Sequence, residues 1–206
     1  MSYEIKAEEN YEIASVIVSD LNGDKVITPD VNGVYSFIIT ENATLKVTTR
    51  GIPAIKEYNG GYAYFIGNDI VGDYSGLLRF EGVVYYIENG IVRTDYTGLC
   101  ESNGSYYYVK NGVLDGSYTG LCEYYGVYYY VNGGILDWSY TGLVEYYGAY
   151  YYVNGGVLDG GYTGLCEYYG GYYYVNGGIL DWGYTGLCEY YGVYYYVNSG
   201  ILDWNY

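Results

Sequence analysis

The chain of 206 residues contains no histidine, which excludes the Ser-His and Cys-His pairs that activate a nucleophile. It also lacks any apolar run near the about 20 residues that a membrane-spanning helix needs. No basic region or apolar stretch follows Met1, so no signal peptide is visible. The chain therefore either stays inside the cell or is the mature segment of a longer protein. We favour the second interpretation.

Positive charge is scarce as well. Lys and Arg number 8 against 24 Asp and Glu, the formal net charge is −16, and no Lys or Arg follows Lys110. Nucleic acids and anionic lipids are bound by Lys and Arg, which displace counterions. Although 38 tyrosines offer rings for stacking on bases, single-stranded nucleic acid also needs a cationic groove. The acidic chain therefore argues against nucleic acid and membrane as partners.

Tyrosine and glycine are abundant, and both follow a fixed period of 22 residues. Each repeat opens on a tyrosine, and a Gly-Leu step follows two residues later. The opening tyrosines are Tyr74, Tyr96, Tyr118, Tyr140, Tyr162, Tyr184 and Tyr206, and the steps are Gly76-Leu77, Gly98-Leu99, Gly120-Leu121, Gly142-Leu143, Gly164-Leu165 and Gly186-Leu187. A strict short period indicates stacked copies of one supersecondary unit, and such arrays usually bind rather than catalyse.

Each repeat predicts a β-hairpin followed by a connector. In the repeat that opens on Tyr118, strands are predicted over 119–124 and 127–131, joined by the turn Tyr125-Gly126. Asn132-Gly133-Gly134 then supplies a second tight turn. No segment after residue 50 has a helical period. Because stacked hairpins bury the aromatic faces that one hairpin exposes, we predict an all-β fold in which residues 51–206 form a β-hairpin solenoid of about six to seven repeats.

The segment from Arg50 to Asp73 is a degenerate first copy, and residues 1–50 lie outside the repeat. We expect 1–50 to form a small antiparallel β domain, because β-branched residues predict strands over 11–18, 34–40 and 43–49, with 2–7 as a fourth candidate. The stretch Gly33-Val-Tyr-Ser-Phe-Ile-Ile-Thr40 resembles the core of short β-rich domains in Gram-positive surface proteins.

The repeat itself resembles a second family. Its matching residues form a Gly-Leu step, a glycine turn, a tyrosine triplet, an Asn-Gly-Gly turn and an apolar exit, as in Gly120-Leu121, Gly126, Tyr128-Tyr129-Tyr130, Asn132-Gly133-Gly134 and Ile135-Leu136. Over residues 52–206 the chain resembles the cell-wall-binding repeat superfamily, which includes choline-binding modules, glucan-binding repeats and the repetitive oligopeptides of large clostridial toxins. The resemblance implies a non-catalytic module that attaches a secreted or surface protein of a Gram-positive bacterium to cell-wall polymer or another glycan.

The same resemblance implies where a ligand binds. In choline-binding modules an ammonium lies between aromatic rings of neighbouring hairpins, and one wall is the aromatic of a Gly-aromatic step. Leucine occupies that step in this chain, so one wall is missing. Because side chains alternate along a strand, the first and third tyrosines of each triplet share a face and can supply the other walls. The candidate ligand-binding tyrosines are Tyr106, Tyr108, Tyr128, Tyr130, Tyr150, Tyr152, Tyr172, Tyr174, Tyr194 and Tyr196.

Both a quaternary ammonium, through cation–π attraction, and a neutral sugar stacked on tyrosine fit these positions, and we favour a glycan. The other interpretation is that the triplets form only the core between hairpins. Trp138 and Trp182 are added as candidate contact residues, because glycine replaces them at Gly116 and Gly160 and such a position is not expected in a core. Plain surface packing is the alternative for these tryptophans.

The remaining recurrent polar and sulfur-bearing positions favour structural roles. One Asp and one Glu per repeat recur at Asp115, Asp137, Asp159, Asp181 and Asp203 and at Glu101, Glu123, Glu145, Glu167 and Glu189. One carboxylate per repeat is sparse for Ca²⁺, so we expect the Asp to cap a turn and the Glu to be solvated. An active site is normally unique, whereas these residues recur identically. We therefore predict no catalytic residue, metal or cofactor.

Four cysteines, Cys100, Cys122, Cys166 and Cys188, share one repeat position with Leu78 and Val144. A position that accepts Leu, Val and Cys predicts a small apolar core site with free thiols. Disulfides between neighbouring copies stay open as the alternative, because the sequence cannot choose among the pairings.

The rival function is a spacer or self-associating stalk without a small-molecule ligand. Solenoids need a polar cap, yet the chain stops at Asp203-Trp-Asn-Tyr206, within an opening repeat. We therefore expect either a homodimer through the uncapped C-terminal repeat or a longer parent protein.

Overall fold

The computed structural model describes residues 5–38 and 42–205, and every regular element in these ranges is a β-strand. This confirms the predicted all-β class. Within the same ranges, no helix is long and apolar enough to cross a membrane. The chain forms two compact units, Met1–Ser75 with Ile87–Val92 and Gly76–Tyr86 with Arg93–Tyr206. The domain boundary between residues 50 and 51 stays a prediction.

The first compact unit begins with a three-stranded antiparallel sheet. Its strands are β1 (Tyr11–Asp20), β2 (Gly23–Ile27) and β3 (Thr44–Gly51), in the order β2-β1-β3. Val16, Val18 and Ile27 form its buried core. The strands predicted over 11–18 and 43–49 are therefore confirmed, whereas β2 was not predicted.

The strand predicted over 34–40 is wrong where the structure describes it, since residues 34–38 form no strand. The Asp30 carboxylate accepts hydrogen bonds from the backbone N–H groups of Asn32 and Val34, which turns the chain at this point. Tyr35 and Phe37 still pack on the small core, as side chains of a loop. Residues 39–41 lie outside the described ranges. Of the candidate strand 2–7, residues 5–7 are not a strand and 2–4 are not described.

Hairpins with a short third strand make up the rest of the chain. The degenerate copy contains β4 (Pro53–Tyr58), β5 (Gly61–Ile66) and β6 (Asp69–Ile70), and the next copy contains β7 (Gly76–Phe80), β8 (Val83–Glu88) and β9 (Ile91–Val92). Five full copies follow in the second compact unit. Their strands are β10 (Gly98–Ser102), β11 (Ser105–Lys110), β12 (Val113–Leu114), β13 (Gly120–Tyr124), β14 (Val127–Asn132), β15 (Ile135–Leu136), β16 (Gly142–Tyr146), β17 (Ala149–Asn154), β18 (Val157–Leu158), β19 (Gly164–Tyr168), β20 (Gly171–Asn176), β21 (Ile179–Leu180), β22 (Gly186–Tyr190), β23 (Val193–Asn198) and β24 (Ile201–Leu202).

The hairpins have the predicted turns and a regular register. β13 and β14 pair antiparallel from Gly120↔Val131 to Tyr124↔Val127, which confirms the two predicted strands to within one residue. At the turn, Tyr125 has φ 50° and Gly126 has φ 80°, the positive dihedrals of a type I′ hairpin.

One glycine per repeat joins neighbouring hairpins. The Gly134 N–H donates to the Tyr118 carbonyl at 2.8 Å, and the Gly134 carbonyl accepts from the Tyr108 N–H of the preceding hairpin at 2.8 Å. Gly134 has φ +78°, and an added Cβ would lie 2.5 Å from the Asp115 carbonyl oxygen. Only glycine therefore permits this connection between copies.

Each hairpin packs one face against the next. The register places Leu121 opposite Tyr130, so both side chains lie on one face, and this face meets Val144 and Val153 of the following copy. Among the five full copies, the leucine is buried where a further hairpin follows, at 1% exposed for Leu143 and Leu165, whereas Leu187 in the last hairpin is 58% exposed. Nesting of successive hairpins thus forms the core of the second unit.

The four cysteines lie in this core with free thiols, which confirms the prediction of a small apolar position. Burial raises the pKa of Cys100, Cys122 and Cys166 to about 11. Raised thiol pKa values disfavour the reactive thiolate.

Candidate functional site

Two equivalent grooves open between repeats of the second compact unit. Groove A, of about 510 Å³, is lined by side chains that include Tyr130, Tyr140, Glu145, Glu167 and Tyr169. Groove B, of about 480 Å³, repeats this set 22 residues later, with Tyr152, Tyr162, Glu167, Glu189 and Tyr191. Both volumes fall in the range of about 300–1,000 Å³ that is typical of small-molecule sites.

Each groove draws on three successive hairpins. For groove A, Tyr130 is the third triplet tyrosine of the first hairpin, and Tyr140 opens the second copy. The strand that contains Leu143 also belongs to the second copy, while Tyr169 comes from the turn of the third hairpin. One copy alone therefore supplies only part of a groove.

The third triplet tyrosine is stacked on the opening tyrosine of the next copy. The rings of Tyr130 and Tyr140 are 3.9 Å apart with an interplanar angle of 28°, and those of Tyr152 and Tyr162 are 3.8 Å apart at 19°. The Tyr140 hydroxyl donates to the Leu143 carbonyl at 2.6 Å. Burial and the neighbouring Tyr130 raise the pKa of Tyr140 to about 12. This stack is therefore a fixed, neutral wall of the groove.

The same opening tyrosine lies close to the glycine of the Gly-Leu step. Gly142 has φ +154°, and an added Cβ would lie 3.3 Å from the Tyr140 hydroxyl oxygen. Leu143, next in the chain, points into the core. The position that the resemblance assigns to an aromatic wall is thus filled by a buried leucine, which accords with the missing wall inferred from the sequence.

The turn tyrosines were not among the predicted site residues. Tyr169 is 92% exposed with φ 48°, and its ring lies 4.4 Å from that of Tyr168 in an edge contact. The sequence marks this position only as a turn. The position lies near groove A because three hairpins stack, and this stacking cannot be derived from the turn alone. One signal was available, since tyrosine rarely adopts positive φ.

Carboxylates line the grooves without positive charges to balance them. Glu145 and Glu167 line groove A, and Glu167 and Glu189 line groove B. No Lys or Arg follows Lys110 in the sequence. The Glu145 carboxylate also accepts from the Gly148 N–H at 2.9 Å, so it caps its hairpin turn while remaining exposed. The grooves are consequently acidic and rich in hydrogen-bond acceptors.

The aspartates cap turns, as predicted. Asp137 accepts from the Ser139 N–H at 2.9 Å and from the Ser139 hydroxyl at 2.6 Å, and these bonds lower the pKa of Asp137. Among the residues that the structure describes, no group of three or more Cys, Asp or Glu side chains could hold a metal ion.

The predicted ligand-binding tyrosines fall into two environments. The third members Tyr130 and Tyr152 line the grooves, and Tyr108 and Tyr174 form the same stacks with their opening tyrosines at 3.8 and 3.7 Å. The first members instead make edge contacts within the inter-hairpin core at 5.6–5.7 Å from a ring of the next copy, as Tyr106, Tyr128, Tyr150 and Tyr172 do.

The last triplet and the tryptophans lie at the surface. Tyr194 is exposed and Tyr196 half-buried in the last hairpin. Trp138 and Trp182 are about half exposed, with edge contacts to the middle tyrosines Tyr129 and Tyr173. Neither tryptophan lines groove A or groove B.

Comparison with solved structures gives distant similarities. The crystal structure of choline binding protein F from Streptococcus pneumoniae is 18% identical, over 95% of this chain and 65% of that chain, with a TM-score of 0.34. An alternansucrase in complex with isomaltononaose is 16% identical, over 98% of this chain and 18% of that chain, with a TM-score of 0.28. The chain thus spans about two-thirds of the first protein and a small part of the second. The comparison with curated proteins finds no match.

The repeats themselves match a family model. The choline-binding repeat model matches five successive segments, residues 95–115, 117–137, 139–159, 161–181 and 183–203, which together make up just over half of the chain. Each matched segment contains one hairpin and its connector, in the register that the structure shows. The chain belongs to the choline-binding repeat family.

Proposed function

We propose that the chain is a non-catalytic binding module that holds cell-wall polymer or another glycan in the grooves between its repeats. Membership of the choline-binding repeat family supports a binding role. The observation that carries the proposal is the recurrence of one groove, with tyrosines and two glutamates at equivalent places in grooves A and B. In this proposal the module attaches a secreted or surface protein of a Gram-positive bacterium, of which it is one part.

The lining favours a saccharide over a quaternary ammonium. A sugar has apolar C–H faces and many hydroxyls, which suit aromatic rings and the acceptor oxygens of Glu145 and Glu167. The resemblance places one aromatic wall of an ammonium site at the position of Leu143, and this chain has a buried leucine there. The acidic lining would still attract a cation, so choline is the competitor that a test must include.

Weak binding at each groove is sufficient for attachment. Grooves A and B recur at a spacing of one repeat, so one polymer can occupy both at once. Linked binding events raise the effective concentration, and the overall affinity then exceeds that of any one groove.

Titration of intrinsic fluorescence tests the proposal. Dextran, peptidoglycan, teichoic acid and choline chloride are each added to the chain, and we expect a saturable change with a polysaccharide that choline does not compete away. A saturable change with choline alone would assign the grooves to a cation instead. If none of the four produces a saturable change, the proposed function is wrong.

A matched pair of variants locates the binding. Tyr130→Phe with Tyr152→Phe removes the hydroxyl of one lining tyrosine in each groove, whereas Tyr129→Phe with Tyr151→Phe changes the middle tyrosines, which line neither groove. We expect only the first pair to weaken binding. Equal effects of the two pairs would place the ligand elsewhere.

One observation favours self-association as a second candidate function. Leu187 and Tyr194 expose in the last hairpin the face that earlier copies bury. A second copy of the chain could cover this face and form a homodimer, as expected for a self-associating stalk. Sedimentation at two protein concentrations checks this candidate. The average sedimentation coefficient of a chain that dimerises increases with concentration, whereas that of a monomer does not.

A further inference from the structure

Four tyrosines occupy the first turn position of successive hairpins, in a backbone conformation that does not suit them. Tyr125, Tyr147, Tyr169 and Tyr191 have φ between 48° and 50°. Positive φ favours glycine and asparagine, and earlier hairpins hold Asn59 and Asn103 at this position. Tyrosine is therefore a strained choice where a less strained residue is already in use within the same chain.

Burial does not compensate for this strain. The four side chains are between 88% and 92% exposed, so they bury little apolar surface. Each makes one edge contact with the tyrosine that precedes it, at 4.4–4.5 Å between ring centroids. Strained residues that gain little from packing are often functional, since strain concentrates at ligand-binding sites.

The turn tyrosines stand where a ligand in a groove would meet them. Tyr169 lines groove A together with the stacked pair Tyr130 and Tyr140, although it belongs to the copy after the one that Tyr140 opens. Tyr191 has the same relation to Tyr152 and Tyr162 in groove B. The third hairpin thus contributes a tyrosine ring to the lining of the groove, and most of the surface of that ring is free.

We propose that, in each groove, the turn tyrosine from the third of its three hairpins is the outer aromatic wall. This residue determines the specificity of the groove for a saccharide. A sugar ring would lie between the fixed stack and this exposed ring, with its hydroxyls on Glu145 and Glu167 in groove A. The inference rests on the proposed function, since it names the wall of the same groove. Hairpins with Asn59, Glu81 or Asn103 at the turn lack this ring.

Two fourfold variants test the proposal. Tyr125, Tyr147, Tyr169 and Tyr191 are all changed to Asn in one chain and all to Phe in the other. Asn fits the positive φ and stands at this turn in other copies, so this variant retains the fold, which circular dichroism and the melting temperature verify. Phe keeps the ring and removes only the hydroxyl. Binding to dextran, peptidoglycan and teichoic acid is then compared with that of the unchanged chain.

We expect the Asn variant to lose affinity by roughly tenfold or more, because losses at each groove compound along a multivalent polymer, and the Phe variant to bind as the unchanged chain does. Undiminished binding by a folded Asn variant would overturn the inference and leave the proposed function standing. Equal loss in the Phe variant would also overturn it, because the hydroxyl and not the ring wall would then matter. Failure of the unchanged chain to bind any polymer would overturn the proposed function and the inference together.

Discussion

At the residue scale, glycines with positive φ serve two different purposes. Gly126 closes a hairpin at φ +80°, and no atom lies within 4 Å of where its Cβ would be. Gly134 has nearly the same φ, but the Asp115 carbonyl would lie 2.5 Å from an added Cβ. Gly126 is needed only for its positive φ, whereas Gly134 also permits the close approach of two copies.

Substitution of each glycine by alanine separates these requirements. Gly126→Ala should cost about 1 kcal/mol of unfolding free energy, from the left-handed dihedral alone. Gly134→Ala should cost at least about 3 kcal/mol, because the methyl group also displaces backbone at a residue with two hydrogen bonds, one within its copy and one to the preceding hairpin. Urea denaturation of both variants measures the difference. Equal losses would show that the close approach at Gly134 is not a source of stability.

The sequence was sufficient for the roles of residues whose contacts are local. The turn at Tyr125-Gly126 was predicted from its own two residues, and the capping role of Asp137 and the buried thiols were predicted from the residues that recur at one repeat position. It was not sufficient for Tyr169, because the ring meets groove A only through the stacking of three hairpins. Periodicity tells which residues share a strand face, but not which face a later hairpin covers.

At the scale of the element, a hairpin is stabilised by the copy that follows it. The leucine of the Gly-Leu step shows this, since Leu143 is 1% exposed and Leu187, at the same repeat position, is 58% exposed. Leu143 packs against Val175 and Cys166 of the next hairpin. A leucine at this repeat position therefore lies in the core or at the surface, depending on whether a following hairpin covers it.

Substitution of these two leucines by alanine measures how much unfolding free energy the following hairpin contributes. Leu143→Ala should destabilise by about 2–5 kcal/mol, as is typical when a buried leucine leaves a cavity. Leu187→Ala should cost less than about 1 kcal/mol, because most of its surface is already in water. Chemical denaturation followed by circular dichroism provides both values. A cost at Leu187 as large as at Leu143 would contradict the nesting of hairpins as the main source of the core.

The predicted strands agree with the structure within the repeats, whereas outside them the candidates over 34–40 and 2–7 form no strand where the structure describes them. Inside the array, turn glycines on both sides of each strand fix its bounds, so β13 and β14 agree with the sequence. Residues 34–38 have the alternation of a strand, but β1 already pairs with β2 on one edge and with β3 on the other. A pattern of alternating residues cannot show that both edges of the neighbouring strand are occupied.

At the scale of the whole molecule, folding holds many phenols away from water. The opening tyrosines Tyr118, Tyr140 and Tyr162 each donate to a leucine carbonyl three residues on, at 2.5–2.6 Å. Burial raises the pKa of all three, to about 12 for Tyr140. An unfolded tyrosine titrates near about 10, so the folded chain keeps protons that the unfolded chain loses above that pH.

Stability should therefore be lost in alkali. The contribution of these phenols is fully present below about pH 10 and falls as pH rises toward the folded pKa, with the buried thiols adding to the loss from a slightly lower pH. We expect the urea midpoint to be clearly lower near pH 11 than near pH 8. A variant with Phe at Tyr118, Tyr140 and Tyr162 should depend less on pH. A midpoint that is the same at both pH values would show that the phenols ionise freely in the folded chain.

Because three consecutive hairpins build each groove, the number of grooves in the array changes by one with each repeat that is added or removed. An in-frame loss of 22 residues brings together two hairpins of the same design, and every groove that remains is complete, while the total falls by one. Under the proposed function, gain or loss of one repeat would therefore change polymer binding by one complete groove, without leaving a groove half built.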